Sequence, residues 1–408
     1  MTNVILFDDE IRDNLLPLTY TKPVGALRLG ILSIKEKWEL ALGAKVSFIT
    51  QDYLSSRYHI DIEDKNIVIN GSVLPSYHLT RLISQLEENE ALLDDGDLIA
   101  AYLNKDQFDS LIQNEDINEL AGFEVGDTPF MKINSLSDIF SLNDEALKMD
   151  FEWMLKDKES QAIPDHVQCI SPENIFIEEG AEISPCIINA STGPVYIGKN
   201  AKIMEGCLIR GPLALLDHAV VKMGAKIYGA TTIGPWSKVG GELNNVVIQA
   251  YSNKGHEGFL GNSVLGEWCN IGADSNNSNL KNNYSEVKLW DYPSETFKKT
   301  GLQFCGLVMG DHSKCGINTM FNTGTVVGVF SNVFGAGYPR NFTPSFCWGG
   351  PQNAYKTYKL EKAFDTAERV MARRDITLGE EEKSILKTVF ELSAKYRSWE
   401  KNPSPASP

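Results

Sequence analysis

The histidine at position 256 stands among residue types that suit proton transfer on a polar substrate. Four short groups rich in asparagine, lysine and glycine follow one another here: Asn253-Lys254-Gly255-His256, Phe259-Leu260-Gly261, Asn270-Ile271-Gly272-Ala273 and Asn279-Leu280-Lys281. An imidazole titrates near neutral pH, so it can take a proton from an attacking amine. His256 is therefore a candidate for a general base.

The elements that must position this histidine are indicated by an apolar residue at every sixth position. The first ladder comprises Ile197, Ile203, Ile209, Leu215, Val221, Ile227, Ile233 and Val239, and the second comprises Met309, Cys315, Phe321, Val327 and Val333. A period of six fits neither an α-helix nor an alternating strand, but it is typical of a parallel β-helix. Interrupted rungs of a solenoid usually carry inserted loops, often on the binding face. The interruption between the ladders, roughly Gly240 to Gly301, contains His256.

The first ~150 residues have a different pattern, in which apolar runs of strand length alternate with helical patterns. The apolar runs are Val4–Phe7, Val46–Ile49, Ile67–Ile69 and Leu98–Ala101, and the helical patterns are Ile31–Leu42 and Leu79–Leu93. This alternation predicts an α/β domain with a parallel sheet. The predicted organisation is an α/β domain at 1–155, a linker at 156–170, an all-β parallel β-helix at 171–350, C-terminal helices at 351–400 and a disordered tail at 401–408.

Together with the ladders, the groups around His256 resemble the acetyltransferase domain of the bifunctional N-acetylglucosamine-1-phosphate uridyltransferase / glucosamine-1-phosphate acetyltransferase family. The match runs without a gap from Gly255 to Asn279, and with the ladders it extends over about the last 60% of the chain. The resemblance implies a left-handed β-helix with hexapeptide repeats, acetyl-CoA as co-substrate, and a homotrimer whose active sites lie between adjacent coils.

The resemblance also assigns roles to individual residues. It implies that His256 is the catalytic base, that Lys226, Lys254, Phe259, Asn270 and Lys281 bind the sugar substrate, and that Ala273, Asn279 and Ala336 bind the acyl-coenzyme A. Four departures stand out: Phe259 replaces a tyrosine, Asp274 a glycine, Lys226 an arginine and Asn244 a lysine. Lys254, Lys281 and Lys288 are candidates to supply the missing charge. The departures leave the acceptor sugar open.

The N-terminal domain resembles sugar nucleotidyltransferases in part, and the whole arrangement resembles bacterial sugar nucleotidyltransferases fused to hexapeptide domains. The matching segments are Val4–Arg12, Thr21-Lys22-Pro23 and Ile69-Asn70-Gly71-Ser72. The resemblance implies a nucleoside triphosphate held by Arg12, Lys22, Asn70 and Gly71, with Mg²⁺. However, the family's phosphate-binding glycines are absent, and Ser72 stands where the family has its Mg²⁺-binding aspartate. Asp8 and Asp9 could hold a metal in a rearranged site or be surface acids.

Composition excludes several classes of partner. A net charge of −16 argues against nucleic acid and against an anionic membrane surface, because both require a basic face. The N-terminus lacks the features of a signal peptide, and the seven cysteines are scattered, which favours free thiols in the cytoplasm. His218, His256 and His312 lack the close histidine pairing of zinc-binding β-helix enzymes, so no metal is predicted among them.

The preferred interpretation is an acetyl-CoA-dependent acyltransferase that acts on an amino sugar or amino-sugar 1-phosphate and is fused to a nucleotidyltransferase-like domain. Two alternatives stay open at this point. One is a sugar-1-phosphate nucleotidyltransferase whose β-helix serves mainly for trimerisation. The other is a non-catalytic scaffold.

Overall fold

A computed structural model describes residues 3–112, 120–127, 129–156 and 158–401 of the chain. These residues form two compact units. The first comprises the residues up to Leu15, Lys22–Leu27 and Leu32–Ser135, and the second comprises Leu16–Thr21, Arg28–Ile31 and the residues from Leu136 onward. The predicted domain boundaries stay predictions, and the predicted tail lies outside the described residues apart from Lys401.

The first unit is built on a mixed six-stranded sheet. In spatial order the strands are Val46–Ile49, Asn3–Phe7, Lys65–Asn70, Asp97–Asn104, Glu90–Asp94 and Ala121–Glu124. The helices of this unit are Ile11–Asn14, Ile34–Leu42, Tyr77–Ser84 and Lys105–Ile112, with 3₁₀ turns at Val24–Ala26 and Asp52–Leu54. The helix Ile34–Leu42 begins where Ser33 and Glu36 form a capping box and ends at Gly43, whose φ of 62° is left-handed.

Two expectations for this unit were wrong. The sheet is not all parallel, because Asp97–Asn104 runs antiparallel to both of its neighbours. The predicted helix Leu79–Leu93 ends at Ser84, and its last third is the strand Glu90–Asp94. The cause is local: Asp95 and Gly96 have φ of 50° and 88°, and the two-residue Asp-Gly turn that they form joins two antiparallel strands.

The second unit is a left-handed parallel β-solenoid of about ten turns, followed by C-terminal helices. Its first face stacks Gln168–Ile170, Ile187–Asn189, Leu208–Arg210, Lys226–Tyr228 and the beginnings of the long strands Glu242–Ala250 and Phe259–Glu267, with Asn276–Asn277 and Met320–Phe321 further along. The second face stacks Ile175–Ile177, Val195–Ile197, Leu213–Leu215, Thr231–Ile233, the ends of the two long strands, Leu307–Met309, Thr325–Val327 and Phe342–Thr343. The third face stacks Glu182–Ile183, Lys202–Ile203, Val220–Val221, Lys238–Val239, Asn253–Lys254, Lys314–Cys315, Asn332–Val333 and Cys347–Gly350, and Asn353–Thr357 pairs antiparallel with the last of these.

The interior of the solenoid confirms the hexapeptide prediction. Every residue of both ladders, from Ile197 to Val239 and from Met309 to Val333, belongs to one buried apolar cluster. Lys254 is the exception in this column, because it pairs in register with the ladder residue Val239 and is 2% exposed. An ammonium therefore occupies a position that aliphatic side chains take elsewhere.

Large aromatic residues with left-handed backbone line the corner between the second and third faces. The residues at this corner with φ between 52° and 61° include His218, Trp236, Tyr251, Trp268, His312, Phe330 and Phe346. Their rings stack from coil to coil, with centroid distances of 4.1 Å for His218–Trp236, 4.2 Å for Tyr251–Trp268 and 4.4 Å for His312–Phe330. Side chains other than glycine rarely adopt this φ, so the stacking offsets the strain.

The remaining elements decorate the solenoid. An insertion at 278–306 contains the antiparallel hairpin Lys288–Asp291 and Thr296–Lys299. The helices of this unit are Asp138–Ser141, Asn143–Leu155, Leu360–Met371, Glu380–Leu392 and Ser398–Lys401, with 3₁₀ turns at Leu18–Tyr20, Pro172–Asn174, Ala372–Arg374 and Ser393–Tyr396. All seven cysteines are free thiols. Within the described ranges, none of the helices combines the length and apolarity needed to cross a bilayer.

Candidate functional site

His256 lies in the turn that follows the strand Asn253–Lys254, and its side chain is exposed. The backbone of the turn is held from two directions. The buried Lys254 ammonium donates a hydrogen bond to the carbonyl of His256. On the preceding coil, Gly241 has φ of 71°, and a Cβ there would lie 2.8 Å from the same carbonyl oxygen. The imidazole is therefore free to meet a substrate, while its backbone is fixed.

The Lys254 ammonium carries an electrostatic penalty at this position. Burial lowers the pKa of Lys254 from 10.5 to about 8, and the nearby Glu257 and Asp274 offset this only in part. A charged group at a ladder position is unfavourable for the coil interior, so its hydrogen bond to the His256 turn indicates a role in positioning that turn.

Beside this turn, a column of polar residues runs along the outside of the third face. Lys238 pairs in register with Asn253, Asn253 bridges to Asn270, and Asn270 bridges to Lys314. Neighbouring parallel strands lie about 4.8 Å apart, so the four side chains form one continuous strip. The side-chain amide of Asn270 has no hydrogen-bond partner among the described residues. It is therefore available to a ligand.

This strip and His256 line a common cavity of about 590 Å³. Among the described residues, its charged side chains are all cations apart from the titratable His256: Lys222, Lys238, Lys314, Arg373 and Arg374. Burial, and then the nearby Arg374, Lys222 and Arg373, lower the pKa of Lys238. Burial likewise lowers the pKa of Lys314, whose Nζ donates to the carbonyl of His312 at 3.0 Å. A bound anion would offset the repulsion among these cations, so the charge of the cavity suits an anionic ligand.

The structure brings three of the predicted site residues together in this cavity. They are His256, Asn270 and Ala273. The carbonyl of Ala273 accepts a hydrogen bond from the N–H of Asn318 at 2.8 Å, which fixes the corner that follows Asn270. Asp274, which replaces a family glycine, is exposed and is not among the lining residues.

Other predicted residues lie elsewhere in this unit. Lys226 lines a groove on the first face and forms an ion pair with Glu242 at 3.5 Å. Lys281 lines a separate cavity beside the insertion at 278–306, and Ala336 is exposed in a turn. Lys254 faces the coil interior, as described above. The structure does not bring these four residues to the His256 cavity.

Phe259 and Asn279 lie close to each other on the first face. A Cβ added at Gly261 would meet the Phe259 ring at 2.5 Å and the Asn279 amide at 2.8 Å. Asn279 donates from Nδ2 to Oδ1 of Asn262 at 2.8 Å. Glycine at 261 is therefore required for this packing, and Asn279 contacts Asn262, which lines the groove that contains Lys226.

The cations of the His256 cavity were missed from the sequence. Lys238, Asn270 and Lys314 each precede a residue whose side chain enters the coil, so phasing the interrupted rungs on Lys254 and Ile271 would have found the strip. Arg373 and Arg374 follow a helix that ends at Met371, where basic residues usually stabilise the helix C-terminus. Their approach to residues more than 100 positions earlier carries no sequence signal.

In the first unit, the predicted nucleotide-binding residues are engaged with protein groups. Arg12 is 5% exposed, its guanidinium donates to the hydroxyl of Tyr53 at 2.6 Å and to Asp13 at 2.8 Å, and it lies 3.9 Å from Asp8. Lys22 is 3% exposed. These cations are buried and partnered, whereas a nucleotide site needs them to face the phosphates.

The acidic residues beside Arg12 also have hydrogen-bond partners within the protein. Asp8 accepts hydrogen bonds from the N–H of Val24 at 2.9 Å and the hydroxyl of Thr50 at 2.6 Å. Burial raises the pKa of Asp8 from 3.8 to about 6 against these hydrogen bonds. Asp9 accepts from the N–H of Ile11 at 3.0 Å and from Asn70 Nδ2 at 2.7 Å.

Mg²⁺ prefers several carboxylate, phosphate and water oxygens in octahedral geometry. Here the carboxylate oxygens of Asp8 and Asp9 already accept hydrogen bonds, and the hydroxyl of Ser72 donates to Oδ1 of Asn70 at 2.7 Å. Gly71 lies against the chain, since its N–H donates to the carbonyl of Phe7 at 2.8 Å. The residues present do not fit Mg²⁺. In the described part of the chain, no three metal-binding side chains cluster.

Comparison with known proteins agrees with the two-part character of the chain. Residues 4–159 match the model of the family described as sugar nucleotidyl transferase. The uncharacterized acetyltransferase YaiX of Escherichia coli O6:K15:H31 (strain 536 / UPEC) is 29% identical over 143 residues, which cover 35% of this chain and 61% of YaiX. The bifunctional protein GlmU of Thermus thermophilus is 31% identical over 132 residues, which cover 26% of this chain and 28% of that protein.

The chain thus spans less than two thirds of each of these curated relatives. The solved structure of the polySia specific acetyltransferase NeuO is 16% identical and covers 48% of this chain and 87% of NeuO. Its TM-score of 0.25 is too low to support a structural argument.

The fold defines a class, the hexapeptide-repeat solenoid proteins. Within that class, the family match at residues 4–159 and the two curated relatives together fit a GlmU-like hexapeptide-repeat protein.

Proposed function

We propose that this chain transfers an acyl group from coenzyme A to the amine of an amino sugar or amino-sugar phosphate. The observation that carries the proposal is the cavity in which His256 and Asn270 lie beside five cations. Coenzyme A carries phosphate groups, and so does an amino-sugar phosphate. A cavity that has cations and, among the described residues, no carboxylates suits such substrates. The relatives named above, an acetyltransferase and GlmU, support the same chemistry.

The proposed step uses the exposed imidazole of His256 as the base. The sugar amine attacks the carbonyl carbon of the thioester, and His256 accepts the proton that the nitrogen loses as the new C–N bond forms. The C–S bond then breaks, and the coenzyme A sulfur leaves with that proton. Asn270 binds the sugar, and Lys254 holds the turn that carries His256.

Nucleotidyl transfer by the first unit is the weaker candidate. The family match over residues 4–159 favours it. The donor set disfavours it, because Arg12, Asp8 and Asp9 are committed to protein partners and the residues do not fit Mg²⁺. We therefore propose that the activity belongs to the solenoid.

We also propose that the protein forms a homotrimer, as the family resemblance implies. Three apolar side chains on the outside of the first face support self-association: Ile170, Ile187 and Leu208 are 46%, 37% and 49% exposed. Ile187 and Leu208 pair in register, and Ile170 lies on the neighbouring strand two positions along. Exposed aliphatic residues on one face favour contact with another surface. Light scattering after size-exclusion chromatography would test this, and a monomer at micromolar concentration would contradict it.

The activity is tested by thiol release from acetyl-CoA in the presence of a panel of amino sugars and their 1-phosphates. The His256→Ala variant is run beside the wild type, with His59→Ala, an exposed histidine of the first unit, as the matched control. We expect His256→Ala to lower the turnover number by a factor of about 10² to 10⁴, which is the usual contribution of a general base. His59→Ala should match the wild type.

Two results would overturn the proposal. One is the absence of thiol release with every amino sugar while the wild type is folded. The other is release that proceeds at the wild-type rate in His256→Ala, since the chemistry would then lie elsewhere.

A further inference from the structure

A second cavity lies between the insertion hairpin and the last coils of the solenoid. It has a volume of about 770 Å³ and contains neither His256 nor any residue of the polar strip. The hairpin strands Lys288–Asp291 and Thr296–Lys299 form one wall, and the segments 322–323 and 340–342 form the other. An insertion that breaks the hexapeptide period has therefore created a concave surface.

The charged groups of this cavity are all cations in the described structure. They are Lys281, Lys288 and Arg340. The acidic residues of the hairpin are directed to other lysines, because Lys298 pairs with Asp291 at 2.9 Å and Lys299 with Glu286 at 3.4 Å. The hairpin thus neutralises its carboxylates with lysines that do not line the cavity and leaves Lys288 at its wall. An anionic group would complete the balance.

Beside these cations, the wall of the cavity is aromatic. The Trp290 and Phe342 rings stack at 4.2 Å with an interplanar angle of 8°, and Phe297 meets Trp290 edge-on and is itself 38% exposed. The indole N–H of Trp290 is buried and has no acceptor among the described residues. Aromatic faces pack against the C–H faces of pyranose rings, and an oxygen that reached this N–H would satisfy it.

Amide and hydroxyl groups complete the lining. Asn322 is exposed, and Asn341 and Thr323 also face the cavity. Asn341 Nδ2 donates to the carbonyl of Thr323 at 2.7 Å, which fixes the floor. Such groups bind sugar hydroxyls, so the lining combines the three elements that carbohydrate with an acidic group requires: an aromatic wall, polar amides and cations.

We propose that this cavity binds a sugar that carries a carboxylate or a phosphate, at a site separate from the His256 cavity. Lys288 and Arg340 bind the anionic group, and Phe297 packs on the ring. The proposal does not depend on the acyltransferase activity. It assigns the insertion a ligand-binding role that the hexapeptide coils do not supply.

The test measures binding to the full chain by calorimetry and by tryptophan fluorescence. The probes are glucuronic acid and glucose 1-phosphate, which separate a carboxylate from a phosphate ligand, with glucose and inorganic phosphate as the neutral and anion-only arms. Lys288→Ala and Arg340→Ala should each weaken the anionic sugar at least tenfold, the usual effect of removing one charge-assisted hydrogen bond. The matched control is Lys299→Ala, because Lys299 is the cross-strand neighbour of Lys288 and does not line the cavity.

Four results would overturn the site. These are no binding of either acidic sugar, equal affinity for glucose or for inorganic phosphate, equal loss in Lys299→Ala, and loss in Arg373→Ala, which would place the sugar in the His256 cavity. Phe297→Leu should weaken the sugars and leave inorganic phosphate unchanged. Because thiol release is measured separately, failure of this proposal is distinguishable from failure of the acyltransferase proposal.

Discussion

Two regions of this chain contain arginine or lysine where a phosphate-bearing substrate was expected, and they treat those cations in opposite ways. In the first unit, Arg12 is buried against Tyr53 and Asp13 and lies near Asp8. In the solenoid, Lys238, Arg373 and Arg374 line a cavity without a carboxylate among the described residues. The first arrangement resembles a packed core, and the second resembles a receptor for an anion.

The presence of suitable residue types therefore does not by itself define a site. A charged side chain that pairs with an opposite charge of the same chain contributes to the fold. A charged side chain without such a partner can bind a ligand. Motif similarity was present in both regions, yet only the solenoid keeps its cations available.

The largest effect is expected at the arginine pair of the His256 cavity. Replacing both Arg373 and Arg374 with alanine should raise the KM for the phosphate-bearing substrate about 100-fold, because two charge-assisted hydrogen bonds are lost. The turnover number should change little. Steady-state thiol release against acetyl-CoA concentration measures this, and Arg369→Ala, an exposed arginine of the preceding helix, is the control. An unchanged KM would contradict the assignment of the cavity.

Lys254→Met separates positioning from charge. The folded pKa of about 8 lies below the ordinary 10.5, so the penalty for the charged form is complete below pH 8 and is lifted as pH rises from 8 to 10.5. We expect the variant to gain ~1–2 kcal/mol of stability relative to the wild type at pH 7, a gain that shrinks toward pH 10.5. Its acyl transfer should fall roughly tenfold, because the His256 turn loses its tether.

Chemical denaturation at several pH values, together with thiol release, measures both parts. Lys202→Met is the control, since Lys202 is an exposed lysine on the same face. Equal activity in Lys254→Met and the wild type would show that the ammonium has no positioning role.

A smaller effect is expected in the first unit. Burial raises the pKa of Asp8 to about 6, so its contribution to stability is complete below pH 3.8 and is lost as pH rises through 6. Asp8→Asn should therefore become more stable relative to the wild type between pH 4 and pH 7, by about 1–2 kcal/mol. Thermal unfolding across this range measures the difference, with the exposed Asp52→Asn as control. A difference that does not change with pH would contradict the buried carboxylate.

The smallest effect is expected from Mg²⁺. Its removal with a chelator should leave thiol release unchanged, and its addition should not alter the thermal unfolding of the wild type or of Ser72→Asp. The physical reason is that the carboxylate oxygens of Asp8 and Asp9 already accept hydrogen bonds. If the wild type released pyrophosphate from a nucleoside triphosphate and a sugar phosphate, the prediction would be wrong and the first unit would be catalytically active.

The solenoid could be predicted from the sequence because each rung repeats the same demand. Ile203 and Val221 occupy equivalent positions in successive coils, so an apolar inward residue recurs many times along the sequence. The first unit offered one example of each signal, and the Asp95-Gly96 turn was overlooked within a helical pattern. Repetition allowed the solenoid to be predicted correctly. Without repetition, one overlooked turn was enough to make the helix prediction in the first unit wrong.

The candidate site was predictable only where it follows the chain locally. His256 and Asn270 are linked by a gap-free motif, and they line one cavity. Arg373 meets that cavity through tertiary packing of a C-terminal helix, which no spacing rule encodes. Lys226 and Lys281 are the opposite case. The resemblance implied that both bind the sugar, but in this chain they line two other cavities.

The stacked aromatic corner restricts how this solenoid can change in length. Rings that stack at one coil spacing, such as His312 on Phe330 at 4.4 Å, leave no room for an extra residue at that corner. The insertion at 278–306 and the long turn at 334–341 both lie at the other two corners. Insertions are therefore tolerated at the other two corners and not at the stacked corner. A shorter solenoid would have to lose whole coils so that the column of rings remains continuous.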